Sequence, residues 1–199
     1  EEITVFLEKE YFVTREKAEL GYEVACREKE LLSRLRHEGG FSLYVGIPFC
    51  PRVCSYCSFS SSPIDVWKDR VECYLEALEK ELRAIGEMAG DRAPDTVYIG
   101  GGTPTTLEAR QLERLLTVIE ECFDLSRTVE FTVEAGRPDS ITEEKLLALR
   151  RHPVTRISIN PQTMQQKTLD LVGRRHTVEQ VYDAFYLARK LGFDNINMD

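Results

Sequence analysis

The sequence lacks any long hydrophobic run, and it opens on Glu1 and Glu2 rather than on the basic and apolar start of a signal peptide. A membrane-spanning helix needs about 18 consecutive apolar residues, so we predict neither a membrane span nor an export signal. Positive charge is also scarce: 26 Lys and Arg stand against 34 Asp and Glu, for a formal net charge of -8. This acidic balance argues against a nucleic-acid-binding protein, since such proteins recognise phosphates through basic patches.

The sequence has few histidine and cysteine residues at the paired spacings that are typical of metal sites. The three histidines show no paired spacing, and they are His37, His152 and His176. Half of the six cysteines stand alone within helical patterns, and these are Cys26, Cys73 and Cys122. A structural zinc site is therefore not expected, because it needs four ligands that usually come as two pairs. A disulfide framework is not expected in a chain of 199 residues of which 30% are charged. Reduced cysteines without an export signal predict a cytoplasmic location.

The length of 199 residues suffices for about one domain. The sequence has no initiator Met and stops at Asp199, directly after a strand-like segment, so we expect a piece of a longer protein. We interpret residues 1–39 as a mainly helical leader or linker, and residues 40–199 as the N-terminal part of a barrel truncated after its fifth strand. Within the leader, the pattern allows a strand over Ile3–Leu7 and predicts one charged helix over Arg15–Arg36.

Strand-like and helix-like segments alternate strictly after the leader. Short runs rich in β-branched and aromatic residues predict strands near residues 41–47, 96–99, 129–134, 156–160 and 194–198. Capping-box patterns at Thr105–Glu108 and Ser140–Glu143 predict two helix starts, and Gly192 predicts the end of the last helix. This alternation predicts an α/β fold with a parallel sheet and right-handed crossovers, here a partial (β/α) barrel.

Three cysteines follow the first predicted strand closely. Cys50, Cys54 and Cys57 have the spacing C-x3-C-x2-C. Three thiolates on one loop can ligate three irons of a cubane iron–sulfur cluster, which leaves the fourth iron without a protein ligand. Such an open iron can chelate and reduce S-adenosylmethionine (SAM). Ferredoxin cysteine runs use other spacings and a fourth cysteine, so the pattern favours a radical SAM cluster.

Polar or glycine-rich residues follow the other predicted strands as well. The second strand leads into Gly100–Pro104, and the third ends in Glu134. The fourth strand is followed by Gln162, and the fifth ends in Asp199. Because the carboxyl ends of barrel strands form the active-site face, we predict that these residues share one face with the cysteine loop.

Each of these residues also has a simpler interpretation. Consecutive glycines let the backbone approach a ligand closely, but glycine also serves a plain strand-to-helix turn. Glu134 suits a ribose diol or an ammonium group, or else it is a solvated strand end. Gln162 could reach hydroxyls or cap the next helix, and Arg174 could bind a carboxylate through two nitrogens. Tyr44 and Tyr56 could stack on a purine or belong to the core.

Residues 40–199 resemble the oxygen-independent coproporphyrinogen III oxidase family of radical SAM proteins. The resemblance rests on motifs that occur in the family's order: Tyr44–Cys50, the three cysteines, Gly100–Pro104, Glu134, Pro161–Gln162, Gly173–His176 and Asn197–Asp199. Ser58–Phe59, the segment Ile157–Met164 and the charged leader look most like the HemZ branch of this family.

The resemblance implies a [4Fe-4S] cluster on the three cysteines and SAM as the second cofactor. The SAM contacts that it implies come from Tyr56, Gly101, Glu134, Gln162 and Arg174. In the decarboxylating members a second SAM lies nearby, at positions that match Tyr44, Gly102, Thr103 and Asp199.

The resemblance also implies a reaction and its partners. The implied activity is the oxidative decarboxylation of the tetrapyrrole coproporphyrinogen III to protoporphyrinogen IX in heme biosynthesis, with an external electron donor. Two alternatives remain open: a heme-binding chaperone of the same family, and another radical SAM reaction such as methyl transfer. From the expected truncation, we predict that residues 1–199 alone do not turn over a porphyrinogen.

Two positions depart from the decarboxylase pattern. Decarboxylases carry histidine where this chain has Gly46, and a fourth cysteine where it has Phe59. Neither position ligates the cluster, so the expectation of SAM cleavage is unaffected. The departures argue against the decarboxylation and against a second SAM. The heme-chaperone branch of the family also lacks that fourth cysteine.

Overall fold

The computed structural model of the protein describes residues 2–36, 39–59 and 61–199. His37, which the sequence pattern pairs with no other metal ligand, lies outside these residues. The chain divides into two compact units, Glu1–Gly40 and Phe41–Asp199. Within the described ranges, no helix is both long and apolar enough to cross a membrane.

The first unit is a pair of helices, α1 (Glu2–Tyr11) and α2 (Arg15–Leu32), that pack against each other. The predicted strand over Ile3–Leu7 is wrong, because this segment lies within α1. Its β-branched residues favour a strand locally, but helix packing overrides that weak preference. In the helix Thr4 is buried, and the ring of Phe6 meets the ring of Tyr11 edge-on at 5.7 Å. The charged helix is observed four residues shorter than predicted.

The second unit alternates strands and helices along its length. Its elements in chain order are β1 (Phe41–Ile47), β2 (Phe49–Cys50), β3 (Ser62–Pro63), α3 (Ile64–Trp67), α4 (Val71–Ala89), β4 (Pro94–Gly101), α5 (Ala109–Cys122), β5 (Glu130–Glu134), α6 (Glu143–Arg150), β6 (Arg156–Ile159), α7 (Gln166–Leu171), α8 (Val178–Lys190) and β7 (Ile196–Met198). Short 3₁₀ turns lie at Lys68–Arg70, Pro104–Thr106 and Pro138–Ser140. The helix α7 has no counterpart among the predicted elements.

The main sheet has five strands in the order β1-β4-β5-β6-β7. Every neighbouring pair is parallel, which confirms the predicted α/β class with a parallel sheet. The strands follow one another across the sheet in chain order, as they do in a (β/α) barrel. Their carboxyl ends therefore meet at one edge. The strands β2 and β3 form a separate parallel pair, and in the sequence they lie on either side of the cysteine loop.

Both predicted capping boxes are wrong by a few residues. The helix α5 begins with Glu108 as its N-cap in a capping box with Gln111, and α6 begins with Thr142 as its N-cap. The reason is that 3₁₀ turns precede both helices and occupy Thr105 and Ser140. The hydroxyls of these two residues lie 2.6 Å apart and connect the two turns instead of capping helices.

The core lies between the sheet and its helices. In β1 the side chains of Leu43, Val45 and Ile47 are buried, while the alternating Tyr44 is exposed. The helix α4 contributes Leu75, Leu78 and Leu82 to the same core, and α5 contributes Leu112, Leu115, Leu116 and Ile119. Burying each such side chain contributes about 1.5–3 kcal/mol to folding. The period of two along the strands leaves Tyr44 on the opposite face of the sheet.

The end of α8 follows its prediction. Gly192 comes two residues after the last residue of the helix and has a φ of +87°. A side chain disfavours this left-handed backbone conformation, and glycine does not. The chain then turns into β7, which brings Asp199 to the edge where the other strands end.

Candidate functional site

A cavity of about 510 Å³ lies at the carboxyl ends of the strands. Its lining includes every predicted site residue except Asp199, namely Tyr44, Cys50, Cys54, Tyr56, Cys57, Gly101, Gly102, Thr103, Glu134, Gln162 and Arg174. Asp199 contacts the lining residue Gln162 through hydrogen bonds. The structure therefore brings the predicted site residues together, while their chemical roles remain predictions.

The three cysteines lie on one loop that other elements hold in place. Cys50 belongs to β2 and is buried, Cys54 is buried, and Cys57 is half-buried. The backbone N–H of Cys57 donates to the carbonyl of Cys54 at 3.0 Å, which turns the loop back on itself. The N–H of Ser55 donates to the carbonyl of Val172 at 3.1 Å and so ties the loop to the end of α7. All three thiols are free.

The thiol of Cys50 is subject to opposing influences from its surroundings. Burial raises the pKa of its thiol, since a buried thiolate loses hydration. A hydrogen bond of 3.6 Å from the Thr103 hydroxyl acts in the opposite direction, as does the charge of Arg137. The nearby Cys57 and Cys54 add to the rise. In the absence of metal these conditions favour the protonated thiol, which must lose its proton when a metal binds.

The cysteine loop offers the donor chemistry of an iron–sulfur cluster. Across residues 2–36, 39–59 and 61–199, no three or more His, Cys, Asp and Glu side chains are gathered tightly enough to hold a single metal ion. A cluster of several irons differs, because each thiolate binds its own iron and the ligands need not converge on one ion. Three thiols around one cavity, whose described lining includes no histidine, fit a cluster better than a mononuclear site.

The glycine run is required by close approach to the cysteine loop. A Cβ on Gly102 would lie 2.6 Å from the carbonyl oxygen of Phe49 and 2.9 Å from the sulfur of Cys50. Gly101 has a φ of +106°, which side chains rarely adopt. The N–H of Gly102 donates to the carbonyl of Ile47 at 2.7 Å. The glycine run is thus more than a plain turn, because it lets the end of β4 pack directly against the loop that carries Cys50.

Glu134 lies in a constrained pair at the end of β5. The hydroxyl of Tyr98 donates a hydrogen bond to its carboxylate. Burial raises the pKa of Glu134, while the Tyr98 hydroxyl and the backbone N–H of Gly101 act to lower it. The ring of Tyr98 stacks on that of Tyr44 with centroids 5.9 Å apart and an interplanar angle of 11°. Glu134 is therefore not a solvated strand end, and Tyr44 is exposed rather than part of the core.

A hydrogen-bond network connects the cysteine loop to the ends of β6 and β7. The Tyr56 hydroxyl donates to the Oε1 of Gln162 at 2.8 Å. Arg174 is buried, and it donates through Nε to the Tyr56 oxygen at 3.2 Å and through Nη1 to the Asn160 carbonyl at 2.5 Å. The backbone N–H of Gln162 donates to the Oδ1 of Asp199 at 2.9 Å.

This network decides between the two interpretations of Gln162. Gln162 has a φ of +69°, and the N-cap of the following helix α7 is Gln165, so Gln162 does not cap that helix. Its amide nitrogen also donates to the Asp199 carboxylate. Tyr56 is half exposed and faces the cavity, so it does not belong to the core.

The two residues that follow Arg174 lie differently. Arg175 is exposed, whereas His176 is fully buried. Burial lowers the pKa of His176, and the positive charge of Arg174 lowers it further. Both effects favour the uncharged imidazole at neutral pH.

Sequence reasoning missed several cavity residues that carry hydrogen-bonding groups, among them Arg137 and Tyr98. Arg137 is buried, and its Nη1 lies 4.0 Å from the sulfur of Cys54. The only signal in the sequence was its place in the turn directly after the strand that ends in Glu134. Tyr98 was foreseeable from strand alternation, because it pairs in register with Tyr44 in the neighbouring strand.

Comparison with known proteins places this site in a family. The family model described as the radical SAM superfamily matches residues 44–199, which contain the cavity and most of the sheet. The oxygen-independent coproporphyrinogen-III oxidase-like protein HemZ of Bacillus subtilis is 42% identical over 197 residues, which are 97% of this chain and 39% of HemZ. The heme chaperone HemW of Lactococcus lactis is 42% identical over 158 residues, which are 79% of this chain and 40% of HemW.

The fold is also similar to a solved structure, that of the coproporphyrinogen III oxidase HemN of Escherichia coli, described as a radical SAM enzyme. The match has a TM-score of 0.73 and 30% sequence identity, and it covers 86% of this chain and 39% of HemN. The chain thus spans about two fifths of the length of the curated relatives it matches. The fold comparison confirms the partial radical SAM barrel that the sequence predicts.

Proposed function

The chain belongs to the radical SAM superfamily, and on that premise we propose that it serves oxygen-independent oxidative decarboxylation of coproporphyrinogen III. The observation that carries the proposal is the single cavity shared by the three cysteines, Glu134 and Arg174. This cavity brings thiols that suit a cluster next to a carboxylate and a guanidinium that suit the ends of SAM. Members of the superfamily use a [4Fe-4S] cluster and SAM.

We propose that Cys50, Cys54 and Cys57 hold the cluster. When bound there, the cluster would supply the electron for reductive cleavage of SAM. The protein contributes the loop that positions the thiolates. The hydrogen bond from the N–H of Ser55 to the Val172 carbonyl and the packing of Gly102 against Cys50 hold that loop in place.

We propose that three side chains orient SAM. Arg174 presents a guanidinium to the SAM carboxylate, since such pairs bind through charge-assisted hydrogen bonds. Glu134 faces the cavity and suits the ribose diol or the ammonium group. The exposed ring of Tyr44 offers a flat apolar face to the adenine base. Together they would fix the reacting end of SAM beside the cysteine loop and exclude water from it.

We propose a single SAM in this cavity. Two of the residues at the second-SAM positions already bind protein groups. The backbone N–H of Thr103 donates to the Phe49 carbonyl at 2.8 Å, and its hydroxyl donates to the Cys50 sulfur at 3.6 Å. The Asp199 carboxylate accepts hydrogen bonds from Gln162. Gly46 stands where decarboxylases carry histidine, so that imidazole is also absent.

A specific observation favours heme binding as a second candidate function. Phe59 replaces the fourth cysteine of the decarboxylases, and it lines the cavity with 73% of its surface exposed. An exposed aromatic ring at a cavity mouth suits a flat apolar ligand such as heme. HemW, whose name states a heme chaperone, is among the relatives of this chain.

One experiment separates the two candidates. The full-length protein is reconstituted anaerobically with iron and sulfide and incubated with SAM, a reductant and coproporphyrinogen III. We expect 5′-deoxyadenosine together with vinyl-bearing products, separated by chromatography. Deoxyadenosine without vinyl products, together with tight heme binding in an absorbance titration, would favour the chaperone. A protein that binds no cluster would contradict both candidates.

A further inference from the structure

A buried guanidinium connects the turn after β5 to the cysteine loop. The side chain of Arg137 is only 3% exposed. Its Nη1 donates to the carbonyl of Arg52 at 3.3 Å and lies 4.0 Å from the sulfur of Cys54. The contact spans 85 residues of sequence and reaches the middle of the cysteine loop. Arg137 thus follows the end of β5 and holds the cysteine loop, which follows the end of β1.

The other edge of the same guanidinium is bound by Asp139. The Nε of Arg137 donates to Oδ1 at 3.0 Å and its Nη2 donates to Oδ2 at 2.9 Å. This is the two-point geometry that arginine offers and lysine does not. The carboxylate binds the edge away from the loop, so the edge that meets Cys54 is the cationic one. The pair is therefore oriented, with its positive end toward the sulfur.

The ion pair by itself contributes little net stability to the fold. Burying an ion pair costs desolvation that its attraction roughly offsets, and apolar residues of similar volume often serve as well or better. The position of the cation beside a cysteine sulfur has a further electrostatic consequence. In iron–sulfur proteins, nearby charge and hydrogen bonds to the sulfurs set the reduction potential of the cluster.

We infer that Arg137 is a positioning residue that holds the cysteine loop and whose charge raises the reduction potential of the cluster. A positive charge near the cluster favours the reduced form, because reduction adds an electron. A hydrogen bond from Nη1 to the Cys54 thiolate acts in the same direction. The inference rests on the proposed function, since it requires that Cys54 ligates the cluster.

Two variants test the inference through opposite signs. Arg137→Gln removes the cation, so we expect the cluster's midpoint potential to become more negative. Asp139→Asn removes the counter-charge and leaves the cation, so we expect the midpoint potential to become less negative. Arg127→Gln is the matched control, because it removes one positive charge from an exposed position ahead of the opposite end of β5. We expect the control to keep the wild-type potential.

The measurement is an anaerobic redox titration of the reconstituted full-length protein, followed by electron paramagnetic resonance, with iron content and circular dichroism for each variant. General damage to the fold does not produce shifts of opposite sign. Shifts in the same direction, or none in either variant, would overturn the inference while leaving the proposed function intact. If one variant retains too little iron to titrate, the sign in the other decides. A wild-type protein without a cluster would contradict the proposed function and the inference together.

Discussion

The phenol of Tyr98 and the carboxylate of Glu134 are joined by a hydrogen bond between two neighbouring strands. The pair depends on Gly100, because a Cβ there would lie 2.6 Å from the Cε1 of Tyr98 and 3.1 Å from an oxygen of Glu134. The first glycine of the run therefore makes room for the pair, whereas Gly102 makes room for the cysteine loop. The glycine run thus makes room both for the Tyr98–Glu134 pair and for the cysteine loop.

Replacing Tyr98 by phenylalanine tests how this pair controls the charge of Glu134. The Tyr98 hydroxyl lowers the pKa of Glu134 against the effect of burial, so its loss should raise that pKa further. Binding of SAM by the ionised carboxylate weakens as pH falls through the pKa, so in Tyr98→Phe this weakening should begin at a higher pH. Isothermal titration of SAM against the cluster-loaded protein over a pH series measures it. Tyr182→Phe, an exposed tyrosine on α8, is the control, and identical pH profiles would contradict the role of Tyr98.

The change Glu134→Gln should raise the stability of the fold at neutral pH and lower the affinity for SAM. The folded-state pKa of Glu134 is raised above the ordinary 4.5, so the folded state binds a proton more tightly than the unfolded state. The free energy of unfolding therefore declines as pH rises from the unfolded-state pKa of Glu134 to its higher folded-state pKa, and it stays low at higher pH. We expect Glu134→Gln to remove this decline and to be more stable than wild type at neutral pH, while its SAM affinity falls. Urea unfolding at several pH values measures the difference, and equal stability at neutral pH would count against it.

Loss of one predicted cluster ligand should abolish the cluster chemistry. Two thiolates do not stably hold a cubane with one open iron, so Cys57→Ala should lose the broad visible absorbance and all formation of 5′-deoxyadenosine. Cys73→Ala is the matched control, because Cys73 is exposed on α4 and does not line the cavity. Chromatography of the nucleoside products gives the measurement. Retained deoxyadenosine in Cys57→Ala would refute the ligand assignment.

Removal of the Arg174 guanidinium should weaken SAM binding by about 1.5–3 kcal/mol, the usual value for a hydrogen bond to a charged group. This corresponds to a loss of roughly ten- to hundredfold in affinity. The comparison is Arg174→Ala against Arg175→Ala, since the neighbouring Arg175 is exposed and lies outside the cavity that holds the cysteines. Calorimetric titration with SAM measures both. Unchanged affinity in Arg174→Ala would make that arginine purely structural.

Adding a single methyl group at Gly102 should dislodge the cysteine loop. The new Cβ would stand 2.6 Å from a backbone oxygen and 2.9 Å from the Cys50 sulfur, so the backbone must move. We expect Gly102→Ala to lower the iron content after reconstitution and to cost about 1–3 kcal/mol of stability. Gly21→Ala is the control, because a Cβ added at this position in α2 would meet no other part of the described structure within 4 Å. That change should stabilise its helix by about 0.5–1 kcal/mol. Equal iron content in Gly102→Ala and Gly21→Ala would contradict the role of Gly102 in placing the cysteine loop.

Local patterns in the sequence were sufficient for much of this architecture. Runs of β-branched and aromatic residues predicted all five strands of the main sheet to within a few residues. The strict alternation with helices then implied a parallel sheet, because parallel neighbours need a crossover. Cysteine spacing is likewise a local property, so the loop was recognisable without a structure. Local patterns failed where helix packing overrode propensity at Ile3–Leu7 and where 3₁₀ turns delayed the starts of α5 and α6.

By itself, then, the sequence determined the strands, their parallel order and which loop carries the thiols, since each depends on neighbours along the chain. Only the tertiary structure decided which distant side chains meet. The contact of Arg137 with the cysteine loop spans 85 residues, and that between Tyr56 and Gln162 spans 106 residues. Such pairings depend on the register of the sheet and on the packing of turns from different strand ends. No local pattern encodes them, because a buried arginine and an exposed one read alike in the sequence.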